Sequence, residues 1–200
     1  MKKEVFFSAL ILITGIIIGL GFLINNYLKS ERAFDSLSVD KSEIDRVQKE
    51  PCPSVKTEER IVRGNSLNPL LEPGDTIRVI FGYYDCYPVA REDIVLFDYA
   101  GNQNPVIKIV KGISGDKFEL RVREGGWNII VNNQIVKNSE GKPYLISGNA
   151  YQMLALYEKD YKGAIPEDAY LLLGDQVSGS IDSTRFGLVD KSDILGKVEH

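Results

Sequence analysis

Histidine is almost absent from this sequence, since the only one among 200 residues is His200. Histidine is the usual base beside a nucleophilic serine, and imidazole is the commonest metal ligand in proteins. The scarcity therefore excludes nearly every Ser-His mechanism and every metal site built on histidine. A serine nucleophile in this chain would need a carboxylate, or a lysine of lowered pKa, as its base.

Cysteine and excess basic charge are also lacking. Cys52 and Cys86 are the only cysteines, which is too few for a four-ligand zinc site, and neither lies in a Cys-x-x-Cys motif. They could form a disulfide outside the cytoplasm or remain two buried thiols, and the sequence leaves both possibilities open. The net charge of −4 gives no basic footprint for nucleic acid. We expect no metal, no cofactor and no nucleic-acid partner.

One long apolar run stands near the N-terminus. Val5–Ile24 carries no charged residue, and as a helix it would span about 30 Å, the thickness of a bilayer core. A cleaved secretory signal peptide is the competing interpretation, but the run is long and no small-x-small cleavage site follows it. We predict residues 1–28 as a cytoplasmic tip and a single transmembrane anchor. Lys2 and Lys3 should hold the N-terminus in the cytoplasm.

The rest of the chain divides into two parts that differ in composition and pattern. Residues 29–60 are polar and charged, and we predict a tether. From Ile61 onward, short β-branched runs such as Thr76–Phe81 and Ala169–Leu173 alternate with Gly- and Pro-containing turns. This pattern predicts a mostly β, barrel-like or sandwich domain over residues 61–200, outside the cytoplasm, with an inserted or cap-like β subregion at about 117–168.

Two side chains could form a nucleophile and its base. Ser66 lies two residues after Gly64 and three before Pro69, so a tight bend could expose its hydroxyl and leave backbone N–H groups free. Lys108 lies in the apolar run 105–110, where strand alternation places it on one face with Val106 and Val110. Desolvation there would lower the pKa of its amine. Each feature alone is also typical of an ordinary turn serine or a solvated strand lysine.

A third cluster follows the run Leu171–Leu173. Residues 174–187 are dense in hydroxyls and carboxylates, but their spacing is not that of a helix-loop-helix calcium site. They could be plain turns or a network that orients a catalytic group.

Four segments, in this order behind an apolar N-terminal run, resemble the sequence boxes of the bacterial type I signal peptidases. They are Gly64–Leu71, Arg91–Phe97, Lys108–Asp116 and Gly174–Gly187. Shorter likenesses occur at Val131–Asn133 and Ile165–Glu167. The resemblance covers residues 61–198. The branch of this family that uses histidine instead of lysine is excluded, because the chain has no internal histidine.

The resemblance implies a role for each matching residue. Ser66 would attack the scissile carbonyl and Lys108 would take its proton. The Ser66 N–H, with a donor near Gly64, would form the oxyanion hole. Ser180 would orient the Lys108 amine. Asp182 and Arg185 would hold the surrounding loop in shape.

The chain also departs from the family pattern. It has Ile109 where an arginine is usual, and Thr184 displaces the expected arginine to Arg185. Further replacements are Leu67 for methionine, Leu70 for threonine, Ser114 for proline and Gln176 for asparagine. None of these changes removes a group of the implied machinery, so the sequence indicates a divergent member.

The resemblance implies a membrane-bound serine endopeptidase that cleaves N-terminal signal peptides from exported preproteins after small residues. Its partners would be those preproteins, the cytoplasmic (inner) membrane and the protein-export machinery. A relative that processes a pilin in conjugation systems would share the same Ser/Lys dyad. A catalytically inactive, membrane-anchored β binding module is a second alternative. A self-cleaving Ser-Lys repressor is disfavoured by the anchor and by the lack of a helical DNA-binding domain.

Overall fold

A computed structural model describes residues 55–99, 104–177 and 179–200. All of them belong to one unit, Cys52–His200. The predicted anchor at 1–28 and most of the predicted tether lie outside the described residues. Within the described ranges, no helix is both long and apolar enough to span a bilayer.

Short strands dominate the described part of the chain, which confirms the prediction of a mostly β domain. The strands are β1 (Lys56–Ile61), β2 (Thr76–Phe81), β3 (Ile94–Phe97), β4 (Val106–Gly112), β5 (Phe118–Arg123), β6 (Gly126–Val131), β7 (Gln134–Ile135), β8 (Leu145–Ile146), β9 (Ala169–Leu173), β10 (Val189–Asp190) and β11 (Ile194–Glu199). The α-helices are α1 (Tyr83–Cys86), α2 (Gly148–Asp160) and α3 (Ser183–Phe186), and a 3-10 turn spans Lys191–Asp193.

The larger sheet has the strand order β1-β2-β11-β3-β4-β9-β10, and every neighbouring pair is antiparallel. Two of its interior strands, β3 and β9, are buried at every position. Continuous apolar runs of this kind fit strands that are covered on both faces. At the edge, β1 is charged and mostly exposed. Strand β4, which carries Lys108, therefore lies near the middle of the sheet between β3 and β9.

The smaller sheet falls within the segment predicted as a cap-like β subregion. It pairs β5 with β6, and β6 in turn with β7 and β8. Helix α2 packs with this sheet through the buried Leu154, and both share a core cluster with Leu171 and Leu173 of β9. One apolar core thus joins the smaller sheet to the strand that leads into the loop at 174–187.

Two features of the fold differ from the sequence prediction. Strand β1 begins at Lys56, inside the range predicted as tether. Its charged side chains suit either a tether or an exposed edge strand, and pairing with β2 makes it a strand. Helix α2 was not predicted at all, because the alternation of β-branched runs and turns favoured strands from residue 61 onward.

Candidate active site

Ser66 lies in the connection between β1 and β2. Backbone hydrogen bonds between Val62 and Asp75 (2.9 Å) and between Gly74 and Val62 (2.8 Å) continue the hairpin beyond the strands. The loop above them is anchored by two buried leucines, Leu67 and Leu71. Burial of these flanking side chains stabilises the bend and leaves the Ser66 hydroxyl only half-buried.

Lys108 reaches Ser66 from the centre of the larger sheet. Its Nζ lies 2.8 Å from Ser66 Oγ and 2.8 Å from the carbonyl oxygen of Ile107. The side chain is 3% exposed, and its register partner on β3 is the fully buried Val95. The structure therefore brings together the two side chains that the sequence singled out, at hydrogen-bond distance.

Burial changes the acidity of this amine. Removal from water disfavours the ammonium form and lowers the pKa of Lys108 from 10.5 to about 8, while the negative charge of Asp182 opposes the shift. A base with a pKa near the working pH is suited to proton transfer. The environment thus converts a lysine into a group that is partly uncharged near neutral pH.

Gly174 lies where the other elements of the site converge. A Cβ atom at this position would come within 2.3 Å of Ser180 Oγ and 2.7 Å of the Ser66 carbonyl oxygen. That same carbonyl accepts a hydrogen bond of 3.1 Å from the backbone N–H of Gln176. The absence of a side chain at Gly174 therefore lets the nucleophile loop and Ser180 approach each other closely.

Ser180 is buried, and its Oγ has no hydrogen-bond partner among the described residues. The structure places this hydroxyl against Gly174 and near the Ser66 backbone, with no hydrogen bond to Lys108 in that part of the chain. An unpaired buried hydroxyl is costly, and such groups often mark a functional site. The orienting role implied for Ser180 stays a prediction.

Asp182 organises the loop between β9 and α3. Its Oδ2 accepts from the Gly174 N–H at 2.9 Å, and its Oδ1 accepts from the N–H and hydroxyl of Thr184 at 3.0 and 2.8 Å. Asp182 is thus the N-cap of α3 as well as a tie to Gly174. The Arg185 side chain is exposed, and no hydrogen bond or ion pair among the described residues involves it.

Two backbone N–H groups of the nucleophile loop lack an acceptor among the described residues. Neither the Ser66 N–H nor the Gly64 N–H donates a hydrogen bond within the described residues. Gly64 is exposed, and a Cβ added there would meet nothing within 4 Å. Free N–H groups beside a nucleophile are the type of donor that stabilises an oxyanion.

The described residues provide no group of three or more His, Cys, Asp or Glu side chains that could hold a metal ion. The second buried lysine of β4, Lys111, is paired with Glu92 at 2.7 Å, and its amine makes no hydrogen bond to Ser66 within the described residues. Cys86 is part of a disulfide. The sequence left open whether Cys52 and Cys86 pair, and Cys52 lies outside the described residues.

The sequence reasoning missed three residues that contact the loop at 174–176. Tyr144 donates to the Gly174 carbonyl at 2.6 Å, and Asn138 and Ser139 bind Asp175. All three belong to the subregion predicted as a cap, and no motif or spacing in the sequence links them to residues some 30 positions away.

Comparison with known proteins finds relatives over the described domain. A family model described as "Signal peptidase, peptidase S26" matches residues 53–200. Signal peptidase I of Bacillus caldolyticus is 32% identical over 142 residues, which cover 70% of this chain and 75% of that protein. Signal peptidase IB of Staphylococcus aureus (strain COL) is 30% identical over 149 residues, covering 68% and 73%. A solved signal peptidase I from Enterococcus faecalis V583 aligns with a TM-score of 0.41 and 23% identity, covering 56% of this chain and 97% of that one.

Proposed function

Because the chain belongs to the signal peptidase family, peptidase S26, and is therefore a serine endopeptidase, we propose that it removes signal peptides from exported preproteins with a Ser66/Lys108 dyad. The membership confirms the family predicted from the four sequence boxes. The observation that best supports the dyad is the distance of 2.8 Å between the buried amine of Lys108 and Ser66 Oγ.

The first half of the reaction forms an acyl-enzyme. Uncharged Lys108 takes the proton of Ser66 as its Oγ attacks the carbonyl carbon of the scissile bond. The carbonyl oxygen becomes an oxyanion, which would accept hydrogen bonds from the N–H groups of Ser66 and Gly64; their lack of other acceptors among the described residues supports this role. The Lys108 ammonium then gives its proton to the leaving amine, the C–N bond breaks, and the mature protein is released.

The second half returns the enzyme to its starting state. Lys108, uncharged again, takes a proton from a water molecule as that water attacks the acyl carbon. The tetrahedral intermediate collapses, Ser66 Oγ recovers a proton from Lys108, and the signal peptide leaves with a new carboxylate. One side chain serves as base and then as acid in each half, so its pKa of about 8 suits both directions of transfer.

The cellular setting belongs to the same proposal. The apolar run Val5–Ile24 would anchor the chain once in the cytoplasmic membrane, with the N-terminus in the cytoplasm and the β domain outside. Preproteins that emerge from the export machinery would then meet the dyad at the outer surface of the cytoplasmic membrane. Cleavage would follow small residues, as the resemblance implies.

The test uses the full-length chain in detergent micelles with a signal-bearing preprotein. Wild type should release the mature protein, and Ser66→Ala and Lys108→Met should each lower the rate by at least about a thousandfold. Lys111→Met is the matched control, because it removes another buried amine from the same strand and should keep at least a large part of the activity. Full cleavage by Ser66→Ala, with folding intact, would reject the proposed nucleophile.

A further inference from the structure

A turn of the smaller sheet contacts the segment Gly174–Gln176, which in turn contacts the backbone of Ser66. This turn, residues 138–144, is called the brace below. Its Tyr144 Oη donates to the Gly174 carbonyl at 2.6 Å, and its Asn138 Nδ2 donates to the Asp175 carbonyl at 3.1 Å. Ser139 donates through its N–H and its hydroxyl to the two carboxylate oxygens of Asp175, at 2.8 and 2.5 Å. Two successive residues after β9 are therefore bound by one turn.

The brace is itself held in a fixed shape. Asn138 Oδ1 accepts from the backbone N–H groups of Glu140 and Lys142, at 3.1 and 2.9 Å. The Asn138 carbonyl also accepts from the Gly141 N–H at 3.0 Å. Such side-chain and backbone bonds close a turn independently of the rest of the protein. The brace can therefore act as a rigid support.

The segment Gly174–Gln176, which the brace contacts, also contacts the backbone of Ser66. On its far side, the Gln176 N–H donates to the Ser66 carbonyl, and Gly174 lies against both that carbonyl and Ser180. Tyr144 is 2% exposed and Asp175 is fully buried. Because a buried polar group that loses its partner carries a large penalty, these contacts strongly restrict where the segment can lie.

We propose that Tyr144 is a positioning residue of the dyad, acting with Ser139 through Gly174–Gln176 to fix the backbone of Ser66. Tyr144 binds the Gly174 carbonyl and not the reacting atoms, so its effect passes through the backbone. This inference rests on the proposed function and adds to it a reason why the smaller sheet is needed for catalysis.

The tyrosine hydroxyl can serve this purpose at any working pH. Burial raises the pKa of Tyr144, and the nearby charges of Asp175 and Asp182 raise it further. The hydroxyl therefore keeps its proton and remains a donor to Gly174.

The test is Tyr144→Phe in the full-length chain, assayed with the same preprotein or a derived peptide. The change removes one hydroxyl and leaves the ring in place. We expect kcat to fall about tenfold, because small displacements of a reacting group are costly, while KM and the alkaline midpoint of the pH profile stay unchanged. Tyr84→Phe is the matched control, since Tyr84 is also buried and its hydroxyl donates to Asp93 at 3.0 Å. It should lose similar thermal stability but keep its kcat.

Several results would overturn the inference. One is a wild-type kcat for Tyr144→Phe, and another is an equal loss in both tyrosine variants. If Tyr144→Phe does not fold, Ser139→Ala is assayed instead. A kcat lowered a few-fold supports the positioning role of the brace, and an unchanged kcat rejects it. Activity retained in Ser66→Ala would instead reject the proposed function, so the two failures are distinguishable.

Discussion

The pH dependence of cleavage follows from the burial of one amine. Lys108 is the proposed base, and its pKa is lowered from 10.5 to about 8. At pH 7 a group of pKa 8 is uncharged in about one molecule in ten, against about one in three thousand for an ordinary lysine. Burial thus enlarges the reactive population at pH 7 by about three hundredfold.

This population sets the expected rate profile. Below about pH 7, kcat/KM should rise about tenfold per pH unit, and it should level off above about pH 9, because kcat/KM reports the free enzyme's essential base. The buried tyrosines Tyr84 and Tyr144 do not confuse the measurement, because burial raises the pKa of each and neither hydroxyl ionises in this range.

The assay is the initial rate of cleavage of a signal-bearing peptide, at substrate well below KM, from pH 6 to 10. Fluorescence of Trp127, the single tryptophan, monitors folding at each pH. A profile that is flat across this range, or one whose midpoint lies above pH 10 in a folded enzyme, would refute the argument that burial makes Lys108 the base.

Three further predictions concern single substitutions. Between pH 8 and 10.5 the unfolded chain keeps a proton on Lys108 that the folded chain has lost, so folding stability should rise with pH across this window, by up to about 3 kcal/mol. Lys108→Met should abolish activity, raise the melting temperature at pH 7 and remove most of the increase in stability with pH. A lower melting temperature in this variant would contradict the conclusion that burying the amine costs stability. Gly174→Ala should lower kcat at least about a hundredfold, because its Cβ would fall 2.7 Å from the Ser66 carbonyl oxygen and displace the nucleophile loop. A near-normal kcat would show that the surrounding backbone can accommodate the Cβ without displacing Ser66. Gly64→Ser has open space for its side chain and should raise kcat a few-fold, up to about tenfold, by adding an oxyanion donor; loss of activity at unchanged stability would argue against a donor role there.

The sequence was most informative where chemistry depends on residue type and local pattern. The near absence of histidine narrowed the base of any serine nucleophile to a carboxylate or a lysine. Alternation within 106–110 left open whether Lys108 is desolvated or solvated, and the structure buries it. The bend around Ser66 follows from nearby Gly64 and Pro69. What joined these segments into one site was the resemblance to a family, since no local rule brings residue 66 to residue 108.

Other parts of the site depend on contacts that no local pattern reveals. Tyr144 is a tyrosine in a polar turn, and its bond to the Gly174 carbonyl exists only because the smaller sheet packs on β9. Helix α2 could have been found, since its sequence from Gln152 to Lys159 is rich in Leu, Ala, Met, Glu and Lys, which are good helix formers. The β-branched runs and turns elsewhere in the domain favoured strands and obscured this local signal.

A direct titration of the Lys108 side chain tests whether burial makes this amine a base near neutral pH. Lysine labelled with 13C at Cε reports the protonation of each amine by NMR, and Lys108→Met identifies the resonance that belongs to this residue. Burial of the amine predicts a Lys108 resonance that titrates near pH 8 in the folded, active enzyme. A resonance that titrates near 10.5 would mean that the amine beside Ser66 stays charged at working pH and cannot be the base.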